Sequence, residues 1–216
     1  MPNSNKKVVA LSCSPSKGRN SDSMLDSFMA GVEEIAGIEI EKVYLDDIPF
    51  ENYNHKIKDG PQESETGFKE LIDKIQNSCG LVIATPTYNF SVPAGLKNFI
   101  DRIRFFALDF GRKTKLGQPV GMLGYLDTYF LVSGGTPTWA EKILFFTFPA
   151  FWLRGVFIYF GSGCMGAIYS GDIRAYENKR ILKKCQKAGR KYAKGLMSGK
   201  HQGILERIFW RPPQSR

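Results

Sequence analysis

Histidine and cysteine are scarce in this sequence. Its 216 residues include two histidines and four cysteines, and no two cysteines have the C-x-x-C spacing of a zinc or redox site. We therefore expect no metal site and no metal-dependent chemistry. The composition also excludes a disulfide scaffold, and scattered free thiols fit a reducing compartment. The four are Cys13, Cys79, Cys164 and Cys185.

A long apolar run is also missing near the N-terminus. The apolar residues that follow MPNSNKK are too few for the core of a secretory signal, so we expect a cytoplasmic protein. Hydrophobic residues make up 43% and charged residues 24% of the chain, which excludes disorder and a collagen-like fibre. A chain of this length favours one large domain.

Positive charge is concentrated towards the C-terminus. The net charge is +9, and residues 172–216 hold 13 Lys or Arg against 3 Asp or Glu, so the rest of the chain is nearly neutral. Such a charge run indicates a solvated helix face, with nucleic-acid binding through the tail as the alternative. The body of the chain has no nucleic-acid reading motif, so we expect no nucleic-acid partner.

Short apolar runs alternate with segments of helical periodicity. Gln118–Leu126 and Thr128–Ser133 both have strand character, and we prefer the second because Gly134 and Gly135 follow it. The runs then predict five buried parallel strands at Lys7–Ser12, Ile38–Leu45, Gly80–Thr85, Thr128–Ser133 and Cys164–Ser170.

Apolar residues at three- and four-residue steps predict the helices. Asn20 or Ser21 would cap the first helix, and Pro93 would stand in the first turn of the third. Trp139–Phe160 predicts two helices, or one helix kinked at Pro149. The helices are expected at 24–35, 68–75, 93–103, 139–160 and 173–196.

Strands alternating with helices predict an α/β fold, a flavodoxin-like, doubly wound, five-stranded parallel sheet with helices on both faces. Residues 1–196 would form this domain, and residues 197–216 a basic, partly apolar C-terminal extension. Such folds bind ligands at the carboxyl ends of the strands, where the strand order reverses. The loops after the first, third and fourth strands should therefore share one site.

The first of these loops is rich in serine and leads into a helix. Hydroxyls, free backbone N–H groups and a helix N-terminus together bind phosphate. The loop is neither a Walker loop nor a G-x-G-x-x-G loop. These residues alone fit both a phosphate site and an ordinary helix start. The polar positions are Ser12, Ser14, Ser16, Lys17, Gly18, Asn20 and Ser21.

The loop after the third strand carries two aromatic residues, Tyr88 and Phe90, where a strand ends. Both should be partly exposed. Exposed aromatic rings among Thr, Asn and Ser suit a flat heteroaromatic ligand. The alternative is a rigid turn fixed by Pro86 and Pro93.

Three segments carry a resemblance. PTYNFSVPAGLKNFIDR, at residues 86–102, resembles the signature of the NADPH-dependent FMN reductase and flavodoxin-like quinone or azo reductase families, roughly P-x-Y-x-x-S-x-P-x-x-L-K-x-x-I-D-R. SPSKGRNS, at residues 14–21, is similar to their S-P-R-x-x-x-N-T phosphate loop. Gly134 and Gly135 match a third, looser signal. The resemblance covers about residues 7–172.

The resemblance implies FMN as the cofactor and NAD(P)H as a co-substrate. The flavin performs the chemistry and the protein positions it, so no catalytic side chain is expected. Ser14, Ser16, Asn20 and Ser21 would hold the phosphate. Pro86, Thr87, Tyr88, Asn89 and Phe90 would flank the ring, and Ser133, Gly134 and Gly135 would approach it from the other side.

The sequence departs from the family pattern at several positions. Cys13 stands where many relatives have glycine, and Ser16 where they have arginine, so the phosphate site loses a charge. The segment 105–126 is longer than the family pattern leads us to expect. The cysteine cluster of the iron–sulfur relatives is absent, so we expect no cluster.

Residues 143–160 are almost entirely apolar and aromatic, with Arg154 as the one charge. They meet the length rule for a membrane span, but Pro149, Arg154 and the need for helices here favour a buried helix pair that extends into a dimer interface. One or two helices cannot turn all these rings towards one sheet, so a second subunit, the C-terminal extension or lipid must cover the surplus. We favour a homodimer, with membrane-surface contact through 143–160 or the extension as the alternative.

The sequence therefore predicts an FMN-dependent NAD(P)H oxidoreductase that passes electrons to a small acceptor such as a quinone, an azo compound or free flavin. The alternative is a flavodoxin-like electron carrier or flavin-binding protein without NAD(P)H activity of its own.

Overall fold

Parallel strands linked by helices dominate the computed structural model, which describes residues 5–57, 60–114, 116–143, 149–171 and 174–199. The strands are β1 (Lys6–Ser12), β2 (Ile38–Tyr44), β3 (Gly80–Pro86), β4 (Leu108–Lys113), β5 (Pro119–Gly121), β6 (Asp127–Ser133) and β7 (Gly163–Ser170). The helices are α1 (Asn20–Glu33), α2 (Thr66–Gln76), α3 (Ala94–Arg102), α4 (Arg104–Ala107), α5 (Thr138–Ile143), α6 (Pro149–Tyr159) and α7 (Lys179–Ser198). Within these ranges, short 3-10 turns lie at Leu45–Asp47 and Ala175–Glu177.

The main sheet has five parallel strands in the order β2-β1-β3-β6-β7. The chain builds outwards from β1 in one direction and then continues from β3 in the other, so the strand order reverses between β1 and β3. Ser12 pairs with Ala84, and Pro86 pairs with Ser133, so the central strands end close together. The predicted α/β fold is confirmed, and the preferred fourth strand is the one in the sheet.

Helices cover both faces of the sheet, as predicted. Side chains alternate along β1, so that Val8 and Ala10 face one side and Val9 and Leu11 the other. The first face packs against α1 and α7 through Phe28 and Tyr192, among others. The second packs mainly against α2, α3 and α6, with buried aromatic rings at Phe68, Phe99, Phe130 and Phe157.

Two glycines bring α1 and α7 into close contact. A Cβ on Gly31 would lie 2.0 Å from the carbonyl oxygen of Gln186, and one on Gly189 would lie 2.0 Å from that of Phe28. Both obstacles are backbone atoms, which do not turn aside as the end of a side chain can. The crossing therefore requires glycine at both positions.

The beginning of α1 differs from the prediction. Arg19, in an extended conformation, is the residue before the helix, and its side chain makes no capping hydrogen bond. Asn20 and Ser21 belong to the first turn and do not cap it, because the chain enters the helix one residue earlier than expected. Pro93 likewise precedes α3 instead of standing in its first turn.

The long segment 105–126 forms α4 and a small separate antiparallel sheet of β4 and β5. Gln118–Leu126 thus contributes a strand, but outside the main sheet. Residues 138–143 and 149–159 each form a helix, with Pro149 as the first residue of the second. The last helix begins at Lys179 and not at Ile173, which lies outside the described residues together with 144–148 and 200–216. Over the described ranges, the helices are too short or too polar to cross a bilayer.

Candidate functional site

The three loops that were predicted to share a site lie side by side at the carboxyl edge of the sheet. The N–H of Cys13 donates to the carbonyl of Ala84 at 2.8 Å. The N–H of Thr87 donates to the carbonyl of Ser133 at 2.7 Å, and that of Gly134 to Ser170 at 2.9 Å. The backbone ladder therefore continues into the loops and fixes their starting points.

In the first loop, the four predicted phosphate-binding residues differ in exposure. Ser14 is buried, and its hydroxyl accepts the N–H of Ser16 at 3.1 Å, which folds the loop back on itself. Ser16 is exposed and Asn20 is half-buried. Ser21 is buried, and its Oγ has no hydrogen-bond partner among the described residues. A buried hydroxyl without a partner costs about 1–3 kcal/mol, so Ser21 is suited to a ligand that supplies one.

Asp22 organises this loop from within, and sequence reasoning did not identify it. Its buried carboxylate accepts the N–H of Gly18 at 2.7 Å and the hydroxyl of Ser12 at 2.8 Å, and pairs with Lys42 at 2.8 Å. Burial raises the pKa of Asp22, but the bonds from Lys42, Gly18 and Ser12 outweigh burial, and the pKa lies below its ordinary value. The carboxylate stays charged and holds the loop against β1 and β2.

The cations nearest to the loop contact other groups. Lys17 pairs with Asp47 at 2.6 Å and lies 4.5 Å from the centre of the Tyr44 ring. The guanidinium of Arg19 lies over the ring of Tyr176 at 5.6 Å. With Ser16 in place of arginine, this loop would bind an anion mainly through neutral donors and the N-terminus of α1.

The loop after β3 forms a tight turn that presents its aromatic side chains. Tyr88 and Ser91 exchange two backbone hydrogen bonds of 2.9 Å. Between them, Asn89 and Phe90 have φ angles of 50° and 61°, in the left-handed region that residues other than glycine seldom adopt. Tyr88 is 46% exposed and Phe90 62%, as predicted. The strained turn therefore holds two rings in solvent at the edge of the sheet.

Thr87 connects this turn to the loop after β6. Its Oγ1 is buried without a hydrogen-bond partner in the described part of the chain. A Cβ on Gly134 would lie 3.3 Å from the Cβ of Thr87 and 2.6 Å from the hydroxyl of Tyr169, which donates to Thr136. Packing inside the protein thus accounts for glycine at 134. Beside it, Ser133 is buried and Gly135 is exposed.

Cys13, which replaces a glycine of the family pattern, is a buried thiol at the start of the first loop. Burial, and the nearby charge of Asp46, raise its pKa well above the ordinary value. The thiol therefore stays protonated and does not serve as a nucleophile. Within the described ranges, no group of three or more His, Cys, Asp or Glu side chains could hold a metal ion.

Arg102, the last residue of the signature segment, is buried and contacts the connection between β2 and α2. Its guanidinium makes two hydrogen bonds with Glu65, at 2.6 and 2.9 Å, and donates to the carbonyl of Glu51 at 2.7 Å. Glu65 in turn accepts the N–H groups of Gln62 and Glu51. The arginine therefore anchors the long connection between β2 and α2.

The geometry of these loops favours one class of ligand. A serine-rich helix start, of the kind that suits an anion, and two exposed aromatic rings lie on neighbouring loops at the point of strand reversal, which suits a ligand with both a phosphate and a flat ring system. Ser21 and Thr87, on two of these loops, supply buried hydroxyls that have no hydrogen-bond partner in the described part of the chain.

Residues 6–130 match the NADPH-dependent FMN reductase family, and the chain belongs to that family. The match contains both the serine-rich loop and the signature segment.

The relatives agree with this assignment. The chain is 50% identical over 68 residues to FMN-dependent NADH:quinone oxidoreductase 1 of Hahella chejuensis, a stretch that covers 31% of this chain and 32% of that protein. It is 29% identical over 184 residues to the FMN-dependent NADH:quinone oxidoreductase of Mycoplasma pneumoniae, covering 81% of this chain and 89% of that one.

A solved structure shares the fold. The FMN-dependent NADH-azoreductase of Bacillus anthracis, in complex with FMN, aligns with a TM-score of 0.67 at 17% identity, over 88% of this chain and 99% of that one.

The buried pair of Arg102 and Glu65 generates a prediction about stability. Mainly through its hydrogen bond with Arg102, Glu65 has its pKa lowered from 4.5 to about 2. Glu65→Gln should cost about 3 kcal/mol of unfolding free energy at neutral pH, because it leaves a buried guanidinium without its counter-charge. A lowered carboxyl pKa stabilises the fold above the unfolded value and loses this effect as the pH falls towards the folded value. The deficit of the variant should therefore shrink between about pH 5 and pH 2.

Urea denaturation across that pH range measures the deficit. Glu63→Gln, an exposed neighbour without a described ion pair, is the control and should be neutral. A deficit for Glu65→Gln that stays constant with pH would show that shape, and not charge, accounts for its effect.

Proposed function

We propose that this chain is an FMN-dependent NAD(P)H oxidoreductase that passes electrons to a small acceptor, such as a quinone, an azo compound or free flavin. One observation carries the proposal: in a member of this family, the buried hydroxyls of Ser21 and Thr87, on two loops of the carboxyl edge, have no hydrogen-bond partner among the described residues. The names of the relatives support the same activity.

The chain's residues fit FMN in two parts. The phosphate would be held by the N–H groups at the start of α1 and by the side chains of Ser14, Ser16, Asn20 and Ser21. The ring would lie against Pro86, Thr87, Tyr88, Asn89 and Phe90, with Ser133, Gly134 and Gly135 on its other side. Residues 1–196 would constitute the binding domain, and residues 197–216 an extension.

When bound, FMN supplies the capacity to accept a hydride from NAD(P)H and to pass the two electrons on. The protein binds and orients the reactants. The two buried acidic groups near the loops are not placed to act on the reactants, because the Cys13 thiol remains protonated and the Asp22 carboxylate is paired with Lys42. We therefore assign no catalytic side chain, and the acceptor takes its protons from the solvent.

The activity is tested by following the visible absorption of the purified, FMN-loaded protein. Anaerobic addition of NADH or NADPH should bleach the flavin band within seconds, and a quinone such as menadione should restore it. A flavin that stays oxidised with both nucleotides but is reduced by dithionite would instead identify an electron carrier. A protein that neither purifies with FMN nor takes it up would refute the proposal.

The phosphate loop is tested by removing two hydroxyls. Ser14→Ala combined with Ser21→Ala should weaken FMN binding at least about tenfold, because a hydrogen bond to a charged group contributes up to about 3 kcal/mol. Fluorescence titration measures the dissociation constants. Riboflavin, which has no phosphate, should bind both proteins alike, and Ser27→Ala, further along α1, should leave FMN binding unchanged. Equal loss for riboflavin and FMN would contradict a role in phosphate binding.

We further propose that the protein is a homodimer whose interface adjoins the carboxyl edge. Trp139, on α5 directly after the loop that follows β6, is 67% exposed, and Phe151 on α6 is 43% exposed. Tyr88 and Phe90 add two more exposed rings. Such exposure of large rings favours a partner surface. Phe157 and Phe160 are buried as expected of a helix pair, while Phe145, Phe146 and Phe148 lie outside the described residues.

Sedimentation equilibrium without detergent should give twice the mass of one chain. Trp139→Lys should shift the equilibrium towards monomer, because it places a charge in the interface, whereas Phe110→Lys on the separate hairpin should not. A wild-type monomer would refute the dimer. The proposed cytoplasmic location still rests on the sequence alone.

A further inference from the structure

The outer face of α7 is uniformly basic. The helix contains eight Lys or Arg and no Asp or Glu over its 20 residues. At 100° per residue, all eight fall within an arc of about 140°, opposite the buried residues Cys185, Tyr192 and Leu196. We call this arc the α7 basic face: Lys179, Arg180, Lys183, Lys184, Lys187, Arg190, Lys191 and Lys194.

Only one of these charges has an acidic partner among the described residues. Arg190 pairs with Glu34 of α1. The other seven are exposed and have no ion pair within the part of the chain that the structure describes. Elsewhere the exposed lysines often have acidic partners, as in Lys17 with Asp47 and Lys97 with Asp101. A helix whose outer face is only exposed to water usually has acidic residues four positions from its basic residues, and α7 has none.

We propose that the α7 basic face binds an anionic lipid bilayer. The helix is 20 residues or about 30 Å long and has its cations along one side, which matches a planar surface better than a pocket. The apolar side of α7 is packed on α1 and the sheet, so the helix would lie on the headgroups by charge attraction and would not insert. The sequence after α7 lies outside the described residues, but its composition is of the kind found at membrane interfaces: Ile204, Leu205, Ile208, Phe209 and Trp210, among Lys200, Arg207 and Arg211.

A nucleic acid fits this face less well. Six of the eight cations are lysines, and one of the two arginines, Arg190, is already paired. The exposed arc presents no aromatic side chain on which a base could stack. The apolar residues that follow would have no role against a polyanion in water. The inference does not depend on the redox function, because lipid binding is measured without nucleotide or acceptor.

Co-sedimentation of the full chain with vesicles tests the proposal. Vesicles of equal parts phosphatidylcholine and phosphatidylglycerol should pellet the protein at low salt, and pure phosphatidylcholine vesicles should not. Lys184→Gln, Lys187→Gln and Lys191→Gln together should lower the partition coefficient by about a hundredfold, from about 1 kcal/mol per cation near an anionic surface. Glutamine keeps the helix propensity of lysine, so α7 should remain folded, as circular dichroism will verify.

The matched control removes three exposed lysines elsewhere, with Lys56→Gln, Lys69→Gln and Lys113→Gln. It has the same net charge as the α7 variant and should bind nearly as well as the wild type, because only the α7 lysines would face the lipid. Equal loss in both variants would show that net charge alone acts. Full retention by the α7 variant would assign lipid binding to another segment. Tighter binding to duplex DNA than to anionic vesicles would identify a nucleic-acid surface. Each of these three results would overturn the proposal.

Discussion

The parallel register of β1, β3 and β6 is the constraint on which the site depends. In a parallel sheet all strands end at the same edge, so the loops after them meet wherever the strand order reverses. Here the ladder continues beyond the strands, with Cys13 bonded to Ala84 and Thr87 to Ser133. A slip of one residue between β3 and β6 would break the bond from Thr87 to Ser133 and would move Thr87 out of contact with Gly134.

Two buried carboxylates then determine the shape of the surrounding loops. Asp22 connects β1, the serine-rich loop and β2 through Ser12, Gly18 and Lys42. Glu65 performs the same task for the connection between β2 and α2, with Arg102 as its partner. Neither carboxylate has a chemical task in the proposed reaction. Because its last residue, Arg102, has a structural role, the signature segment 86–102 serves the fold as well as the proposed cofactor site.

Most of the sheet could be predicted because buried parallel strands are short apolar runs, such as Gly80–Thr85. Of the hairpin, β5 falls within a run of strand character, but β4 could not be predicted, because its residues from Phe110 to Lys113 are exposed and show no alternation of apolar and polar side chains. Within the site, serines next to a helix and aromatic rings at a strand end are visible in the sequence. The role of Asp22 could not be predicted, because its partner Lys42 lies on β2, a separate element of the fold. Arg19 precedes α1 although a better capping residue follows it, which shows that tertiary contacts outweigh capping preference here.

The close crossing of α1 and α7 has a consequence for how this sequence can vary. Gly31 meets the backbone of α7, and Gly189 meets the backbone of α1, so neither contact contains a side chain that could be shortened to make room. The clash caused by a larger residue at one position cannot be relieved by a substitution at the other. Any accommodation must separate the helices along their length, and α1 would carry the serine-rich loop with it. A substitution of Gly189 in α7 would therefore also change the geometry of the serine-rich loop, which lies near the other end of the chain.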